Sequence, residues 1–249
     1  MSGHSKWHNI RLRKGKQDAE RGKIFTKVAR EIIVAAREGG GSPDTNLRLR
    51  IAVQKARDAS MPADNIKRAI QRGTGELEGA QYEEVRYEGY GPAGVAVLVE
   101  CLTDNRNRTV ADLRTIFNKC AGNLGESGSV AWMFHQRGVL SIPADSTTED
   151  DVLLAALDAG AEDIRTEGDS IEVECAPEAL PAVRQALTDA GIAFNMAELS
   201  MIPQSTVQVE GKEASQVLRL MDGLEDHDDV QHVYANFDIP DDVLQAAGN

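Results

Sequence analysis

The sequence has few of the residues that form disulfide bonds, metal sites and membrane-spanning helices. It contains three cysteines, Cys101, Cys120 and Cys175, scattered without a CxxC or Cys/His spacing, so neither a disulfide framework nor a zinc site is indicated. No apolar run approaches the roughly 18 residues of a membrane-spanning helix, and the polar N-terminus does not resemble a secretory signal. We therefore predict a cytoplasmic chain with reduced thiols and no membrane partner.

Motifs that carry catalysis are missing as well. The sequence has no GxSxG, GxxxxGK[ST] or HExxH motif, and its glycine-rich stretches do not join a strand to a helix as a phosphate-binding loop does. His4 and His8 are four residues apart but lack a third metal ligand. The acidic run at residues 225–229 lacks the alternating ligands of a calcium loop, and we interpret it as a solvated turn. We predict no enzymatic activity, no cofactor, no metal site and no small-molecule substrate.

Basic residues are outnumbered over the whole chain but concentrated at its start. The 249 residues carry a formal net charge of −13. Residues 1–75 hold 17 basic and 7 acidic residues, a net charge of +10, whereas residues 76–249 hold 10 basic and 33 acidic residues, a net charge of −23. The sign changes at the glycine-rich segment 73–79, which indicates two electrostatically distinct bodies. The acidic body should repel nucleic acid and confine contact to the basic N-terminal module.

Three helices are predicted in the basic module, after a flexible basic arm at residues 1–15. The first, residues 17–38, has an apolar stripe on one side and basic side chains on the other. The second covers residues 46–59, and the third covers residues 62–72 with Gly73 as its C-terminal cap. The side chains of the second helix that we expect to point inward are Leu47, Ile51 and Ala52.

The basic arm and the basic side of the first helix form the predicted nucleic-acid-binding surface. Nine basic residues against two acidic ones in the first 30 favour contacts to phosphates, which lysine and arginine neutralise. The predicted binding residues are Lys6, Trp7, Arg11, Arg13, Lys14, Lys16, Arg21, Lys23, Lys27, Arg30 and Arg37. The alternative for the helix is a solvated face without a partner. Trp7 either stacks on an exposed base or packs the arm against the bundle.

The acidic part of the chain combines strand and helix patterns. Strands at residues 82–90 and 94–102 predict a hairpin, followed by a helix at residues 108–121 and a short strand at residues 129–133. Residues 138–201 show the order strand, helix, strand, strand, helix, strand, which is typical of a ferredoxin-like fold.

The last part of the chain is expected to return to the hairpin. A strand near residues 206–209, a helix at 212–224 and a strand at 230–237 would complete its sheet. We predict an α+β multidomain protein with an N-terminal three-helix bundle and two α/β domains, one ferredoxin-like (βαββαβ) and inserted in the other. The predicted domains are residues 1–75, the discontinuous pair 80–134 and 204–249, and the inserted segment 135–203.

A polar run from Asp104 to Thr109 joins a strand end to a helix start, a place where anions often bind. We favour a structural role, in which Asn107 or another short polar side chain caps the helix while Arg106 and Arg108 pair with carboxylates. The alternative is a second contact point for RNA or a ribosomal protein.

Five segments of the sequence together resemble the YebC family. They are Gly3-His-Ser-Lys-Trp7, Arg21-Gly-Lys-Ile-Phe-Thr-Lys27, Tyr87-Glu-Gly-Tyr-Gly-Pro92, Glu100-Cys-Leu-Thr-Asp-Asn-Arg-Asn-Arg-Thr109 and Leu199-Ser-Met-Ile-Pro203. The resemblance implies a three-helix domain followed by two α/β domains, one ferredoxin-like and inserted in the other. One departure is Ala121, where the family pattern has glycine in a Cys-Gly-Gly-Asn-Leu run.

The resemblance also implies a function. Members are described as DNA-binding transcriptional regulators, and the resemblance extends to mitochondrial translational activators of cytochrome c oxidase and to bacterial members implicated in helping ribosomes through difficult sequences. We expect a non-enzymatic, nucleic-acid-binding regulator of gene expression, in the first place a DNA-binding transcriptional regulator. The alternatives are a translation factor bound to the ribosome or its RNA and a protein-binding scaffold. A protein partner would contact the acidic α/β domains.

Overall fold

The computed structural model describes residues 19–240, with side chains from residue 22 onward. These residues form two compact units, one made of residues 19–131 and 207–240 and the other of residues 132–206. Both units contain helices and antiparallel sheets, which confirms the predicted α+β class. None of the helices in this range is long and apolar enough to cross a membrane.

Seven α-helices and ten strands follow one another in the described range. In chain order they are α1 (Ala19–Gly39), α2 (Leu47–Asp58), α3 (Ala63–Gly73), β1 (Glu83–Tyr90), β2 (Ala96–Thr103), α4 (Arg106–Lys119), β3 (Asn123–Leu124), β4 (Phe134–Pro143), α5 (Glu149–Ala156), β5 (Ala161–Glu167), β6 (Ser170–Cys175), α6 (Leu180–Asp189), β7 (Met196–Pro203), β8 (Val207–Gln208), α7 (Gly211–Glu225), β9 (Val230–Ala235) and β10 (Phe237–Asp238).

Helices α1, α2 and α3 pack around one apolar core in the first unit. Each helix has apolar residues at helical spacing, and the three apolar faces meet. The core side chains with the least exposure are Ile32, Ala35, Leu49, Ala52 and Ala56. The predicted bounds of the three helices differ from the observed ones by one or two residues at each end.

The buried side of α2 agrees with the prediction at Ala52, which is fully buried, and differs from it at Leu47 and Ile51. Leu47 and Ile51 do not point inward, because they are 64% and 58% exposed. The buried residues have the i, i+3, i+4, i+7 spacing of a single helix face, and they are Leu49, Ala52, Val53 and Ala56. Asn46 fixes this orientation by accepting a hydrogen bond from the Leu49 amide at 3.0 Å while its own amide group donates to the Ala35 carbonyl at 2.7 Å.

Gly73 is the last residue of α3 and does not cap it. The C-cap residue is Thr74, and the left-handed residue that follows is Gly75, with φ of 83°. A Cβ atom at Gly73 would lie 2.5 Å from the Ile33 carbonyl oxygen and 2.6 Å from the Ala36 Cβ. Glycine is therefore needed here for the close approach of α3 to α1.

The rest of the first unit is a four-stranded antiparallel sheet in the order β3-β1-β2-β9, with α4 and α7 packed on it. The β1–β2 pair is the predicted hairpin. The predicted strand at residues 206–209 does not join this sheet, because β8 pairs in parallel with β10 in a separate two-stranded ladder.

The predicted strand at residues 129–133 is absent, and the reason is a buried carboxylate. Glu88, which is 5% exposed, accepts hydrogen bonds from the amides of Gly128, Val130 and Ala131, each at 2.7 Å. These amides are consequently unavailable for a strand ladder. Burial opposes the ionisation of Glu88, but the backbone hydrogen bonds outweigh it and hold its pKa below the ordinary value.

The second unit is a four-stranded antiparallel sheet with two helices. Its elements follow in the order β4, α5, β5, β6, α6, β7, and the strands lie in the order β5-β6-β4-β7. Apolar residues of the strands and helices share one core, whose most buried members include Leu140, Ile142, Ile171, Val173, Val183 and Leu187.

Candidate nucleic-acid interface

The predicted binding residues fall into two groups with respect to the structure. Those of the arm lie outside the described residues, and they are Lys6, Trp7, Arg11, Arg13, Lys14 and Lys16. Arg21 lies in α1, but its side chain is also outside the described set. The structure places Lys23, Lys27, Arg30 and Arg37, all of which project from α1.

The basic side of α1 faces the acidic turn, which we define as residues 225–229. Lys23 Nζ lies 3.4 Å from an Asp226 carboxylate oxygen. The Lys27 ammonium group donates to the backbone carbonyl of Glu225 at 2.6 Å. The acidic turn thus approaches the basic side chains that the sequence predicts as phosphate ligands.

Arg30 makes the most buried of these contacts. Its guanidinium group donates to Asp229 Oδ1 at 2.7 Å and also to the backbone carbonyl of Asp228. The other Asp229 oxygen accepts hydrogen bonds from Thr109 at 2.7 Å and Arg108 at 3.0 Å. The side chains of Arg30 and Asp229 are only 12% and 3% exposed, so this ion pair is largely removed from water.

The Asp229 carboxylate is held in its ionised form by these neighbours. Burial would raise its pKa, but the hydrogen bonds from Thr109 and Arg108 and the charge of Arg30 outweigh burial and lower the pKa below the ordinary value. Because Asp229 is buried, the interpretation of the acidic run as a solvated turn is wrong for this residue. Within residues 19–240, no group of three or more His, Cys, Asp or Glu residues is arranged to hold a metal ion.

The polar run from Asp104 to Thr109 has the structural role that we favour. Asn105, and not Asn107, caps α4 by accepting a hydrogen bond from the Arg108 amide at 3.1 Å. Arg106 pairs with Glu83 at 2.6 Å, and Arg108 pairs with Asp104 at 2.8 Å. These arginines are engaged within the protein.

Two further arginines of the bundle connect it to the first strand. Arg37 donates to the backbone carbonyl of Tyr82, and Arg48 pairs with the carboxylates of Glu38 and Glu84. Together with Arg30, these contacts tie the bundle to the sheet of the same unit.

Helix α3 carries three exposed basic residues that the sequence reasoning missed. Lys67, Arg68 and Arg72 are exposed, and no carboxylate within residues 19–240 forms an ion pair with any of them. Arg68 donates to the Asn65 side chain at 2.7 Å, which brings an amide beside a guanidinium group. The amphipathic pattern of residues 63–73 was the available signal, because buried Ile66 and Ala69 mark the inner face of the helix and these basic residues fall off that face.

The three cysteines lack the properties of a catalytic nucleophile. Burial raises the pKa of Cys101 to about 12, with a further contribution from the Asp229 charge. Burial also raises the pKa values of Cys120 and Cys175 above the ordinary value. All three are free thiols, and they are protonated at neutral pH.

Two family models match the chain along almost its whole length. The model of the TACO1/YebC protein N-terminal domain matches residues 5–76, which include the helical bundle. The model of the TACO1/YebC second and third domain matches residues 82–237.

Similar proteins are found among curated sequences and solved structures. A protein of Desulforapulum autotrophicum and one of Geobacter sulfurreducens, each named a probable transcriptional regulatory protein, are both 56% identical to this chain. The first alignment covers 99% of this chain and 100% of its relative, and the second covers 98% and 99%. The crystal structure of the conserved hypothetical protein Aq1575 from Aquifex aeolicus superposes with a TM-score of 0.82 at 47% identity, covering 92% of this chain and 94% of that one.

Proposed function

Because the chain belongs to the TACO1/YebC family, we propose that it regulates transcription by binding DNA through its basic N-terminal module, without catalysing a reaction. Its curated relatives are named probable transcriptional regulatory proteins, which supports a regulatory role. The structure adds a physical reason for assigning the contact to the N-terminal module.

The observation that carries this proposal is the separation of the basic residues into two sets. Lys23, Lys27 and Arg30 contact the acidic turn within the protein. The basic residues of α3 are instead exposed and have no acidic partner in the described chain, and they are Lys67, Arg68 and Arg72. In a protein with a net charge of −13, such a cluster is available to neutralise phosphates.

The α1 contacts have a positioning role in this proposal. They hold the bundle against the acidic turn of the same unit, so that the α3 surface, defined here as Lys67, Arg68 and Arg72, keeps a fixed orientation within that unit. The basic arm with Lys6, Arg11, Arg13, Lys14 and Lys16 supplies further phosphate contacts. Trp7 and Arg21 remain predicted members of the same interface.

The acidic remainder has two roles in the proposal. It keeps nucleic acid away from its own surface through a net charge of −23 over residues 76–249, and it offers a surface to a protein partner. We propose three domains, namely residues 1–75, the pair 80–134 and 204–249, and an inserted ferredoxin-like domain at residues 135–203. We further propose that the protein acts in the cytoplasm.

A translation factor that binds ribosomal RNA is the second candidate, and one observation favours it. Asn65, Arg68 and Arg72 line a cleft beside α1, whereas a recognition helix that reads duplex DNA presents such side chains to a major groove. Binding of folded or single-stranded RNA does not require a protruding helix.

The test measures the affinity of the full chain for labelled duplex DNA and for structured RNA as salt is raised. Replacing Lys67, Arg68 and Arg72 by alanine should weaken binding and reduce the log–log salt slope by roughly 3, because each lost phosphate contact on duplex DNA removes about 0.9.

The control variant replaces Arg114, Lys119 and Lys212, which are exposed basic residues of the sheet domain, by alanine. It changes the net charge equally and should leave the slope unchanged. Equal effects of the two triple variants, or a salt-independent affinity, would refute the proposed surface. Binding to RNA alone would select the translation factor.

A further inference from the structure

A cleft of about 350 Å³ lies between α1, α3 and the residue that precedes β1. Its floor is apolar, with Ile33, Met61 and Ala69 among the lining residues. Two aromatic side chains, Phe25 and Tyr82, line it as well. The cleft belongs to a single compact unit, and its volume lies at the lower end of the range in which proteins bind small ligands.

The charged groups that line the cleft are all guanidinium groups. Arg30, Arg68 and Arg72 line it together with the Asn65 amide, and none of its lining residues is an aspartate or a glutamate. Arg30 is already paired with Asp229. Arg68 and Arg72 form no ion pair within residues 19–240, so in this otherwise acidic chain their guanidinium groups can bind an anion. The apolar floor and the aromatic rings suit an anion that carries a flat, apolar part.

Arg30 and Tyr82 form one wall of the cleft, which we call the aromatic wall. Contacts within the protein hold both residues in place. The Arg30 guanidinium carbon lies 5.2 Å from the centroid of the Tyr82 ring, a cation–π contact. The Asp229 carboxylate accepts a hydrogen bond from the same guanidinium group at 2.7 Å. Arg37 fixes the backbone of Tyr82 through its carbonyl. The Arg30 Nε–H is buried without a hydrogen-bond partner in the described chain.

We propose that this cleft binds one unstacked nucleotide of a nucleic-acid strand. The base occupies the apolar interior beside Phe25 and Tyr82, where aromatic rings and arginine planes provide stacking surfaces. The phosphate contacts Arg68 and Arg72 at the exposed rim. The Asn65 amide is placed to hydrogen bond with a base edge. This inference rests on the proposed function and names the ligand unit that the same surface recognises.

The dimensions of the site favour a single nucleotide over a duplex. A cleft of about 350 Å³ accommodates one base with its sugar, whereas a stacked base pair stays inside its helix and exposes only edges. An unstacked nucleotide occurs in single-stranded DNA, in RNA loops and bulges, and as a free nucleotide, and these sources share the same chemistry.

The test compares two labelled single strands of about a dozen nucleotides, one intact and one with abasic residues at its centre. Binding of the full chain is measured by fluorescence anisotropy. Replacing Tyr82 by leucine keeps apolar volume but removes the ring, so the affinity for the intact strand should fall by about 5- to 150-fold. The affinity for the abasic strand should not change.

A matched control is available in the other unit. Arg184 lies 5.8 Å from the ring centroid of Phe194, so Phe194→Leu removes the same kind of pair away from the cleft. It should leave both affinities unchanged. Arg72→Ala should lower the affinity for both strands equally, because it removes a phosphate contact. It should also reduce the log–log slope of affinity against salt by about 0.7. Asn65→Ala keeps the aromatic wall and provides a second base-dependent variant if Tyr82→Leu does not fold.

The outcomes separate this inference from the proposed function. If the wild-type protein binds neither strands nor duplex, both fail. If it binds tightly and with salt dependence, but Tyr82→Leu has no effect or weakens both strands equally, only the cleft assignment is overturned. An acidic peptide that competes with the strand in a Tyr82-dependent way would reassign the cleft to a protein ligand. Single-stranded DNA, RNA and a free mononucleotide, tested in parallel, identify the source of the nucleotide.

Discussion

Replacing Asp229 by asparagine tests whether the acidic turn holds the helical bundle in place. The substitution keeps the shape of the side chain but removes the charge that faces Arg30 at 2.7 Å. Because both side chains are at most 12% exposed, the Arg30 guanidinium would remain buried without its counter-ion. Breaking a buried pair in this way costs about 3–5 kcal/mol.

Arg108 adds little to this cost because its side chain is 47% exposed and can be hydrated. We therefore expect Asp229→Asn to lower the free energy of unfolding by about 3 kcal/mol at neutral pH. The measurement is urea unfolding followed by circular dichroism. Asp226→Asn is the matched control in the same turn, because Asp226 and Lys23 are 54% and 44% exposed and 3.4 Å apart. It should cost less than about 1 kcal/mol.

Comparing the wild type with Asp229→Asn also predicts how the free energy of unfolding depends on pH. The pKa of Asp229 is lower in the folded protein than its ordinary value. Its contribution to stability is therefore complete above the unfolded pKa of about 3.9 and is lost as the pH falls through the lower folded pKa. The difference between wild type and Asp229→Asn should shrink in that acidic range. A loss no larger than that of Asp226→Asn at pH 7 would refute the assigned role of Asp229.

Two further predictions concern a strained backbone and a buried carboxyl group. Ala121 has φ of 58°, a conformation that favours glycine, so Ala121→Gly should raise the free energy of unfolding by about 0.5–1 kcal/mol. The control Ala190→Gly, at φ of −76°, should lower it. Thermal unfolding of both variants checks the two signs. Burial raises the pKa of Glu172 to about 7 against the attraction of Arg165, so its protonated form favours folding. That stability is present below the ordinary pKa and is lost as the pH rises through about 7, by up to about 3 kcal/mol; Glu172→Gln should abolish this pH dependence in urea unfolding, and an unchanged dependence would contradict it.

Much of the secondary structure could be predicted because it depends on local patterns. Helices α1 and α7 begin and end within one or two residues of their predicted bounds. Strands β1 and β2 pair as the predicted hairpin. Each of these elements buries one face, and the spacing of apolar residues along the sequence indicates that face. The buried face of α2 was predicted wrongly at Leu47 and Ile51, because apolar residues occur on both sides of this helix and the fold buries the side with Leu49 and Val53.

The environment of the basic residues could not be predicted from local sequence. Arg30 and Asp229 are 199 residues apart in the chain, and only the closed fold brings them together. A basic helix face has the same composition whether it meets phosphates or a carboxylate of its own protein. The α3 surface was overlooked for the same reason, because its net charge is modest and its significance depends on the absence of acidic neighbours in the described chain.

The backbone conformation at Ala121 explains why the YebC pattern has glycine at this position. The glycine that the YebC pattern has there suits a left-handed residue, which this chain fills with alanine. The neighbouring Gly122 cannot vary in the same way, because a Cβ atom would lie 2.7 Å from the Tyr90 carbonyl oxygen.

DNA binding through residues 1–75 is tested most directly by crosslinking in cells, followed by sequencing of the attached nucleic acid and identification of the crosslinked peptides. The account predicts promoter DNA attached to peptides of residues 1–75, including those with Lys67, Arg68 and Arg72. Crosslinks that fall on residues 132–206 would contradict the proposed interface, and ribosomal RNA in place of promoter DNA would contradict the transcriptional role.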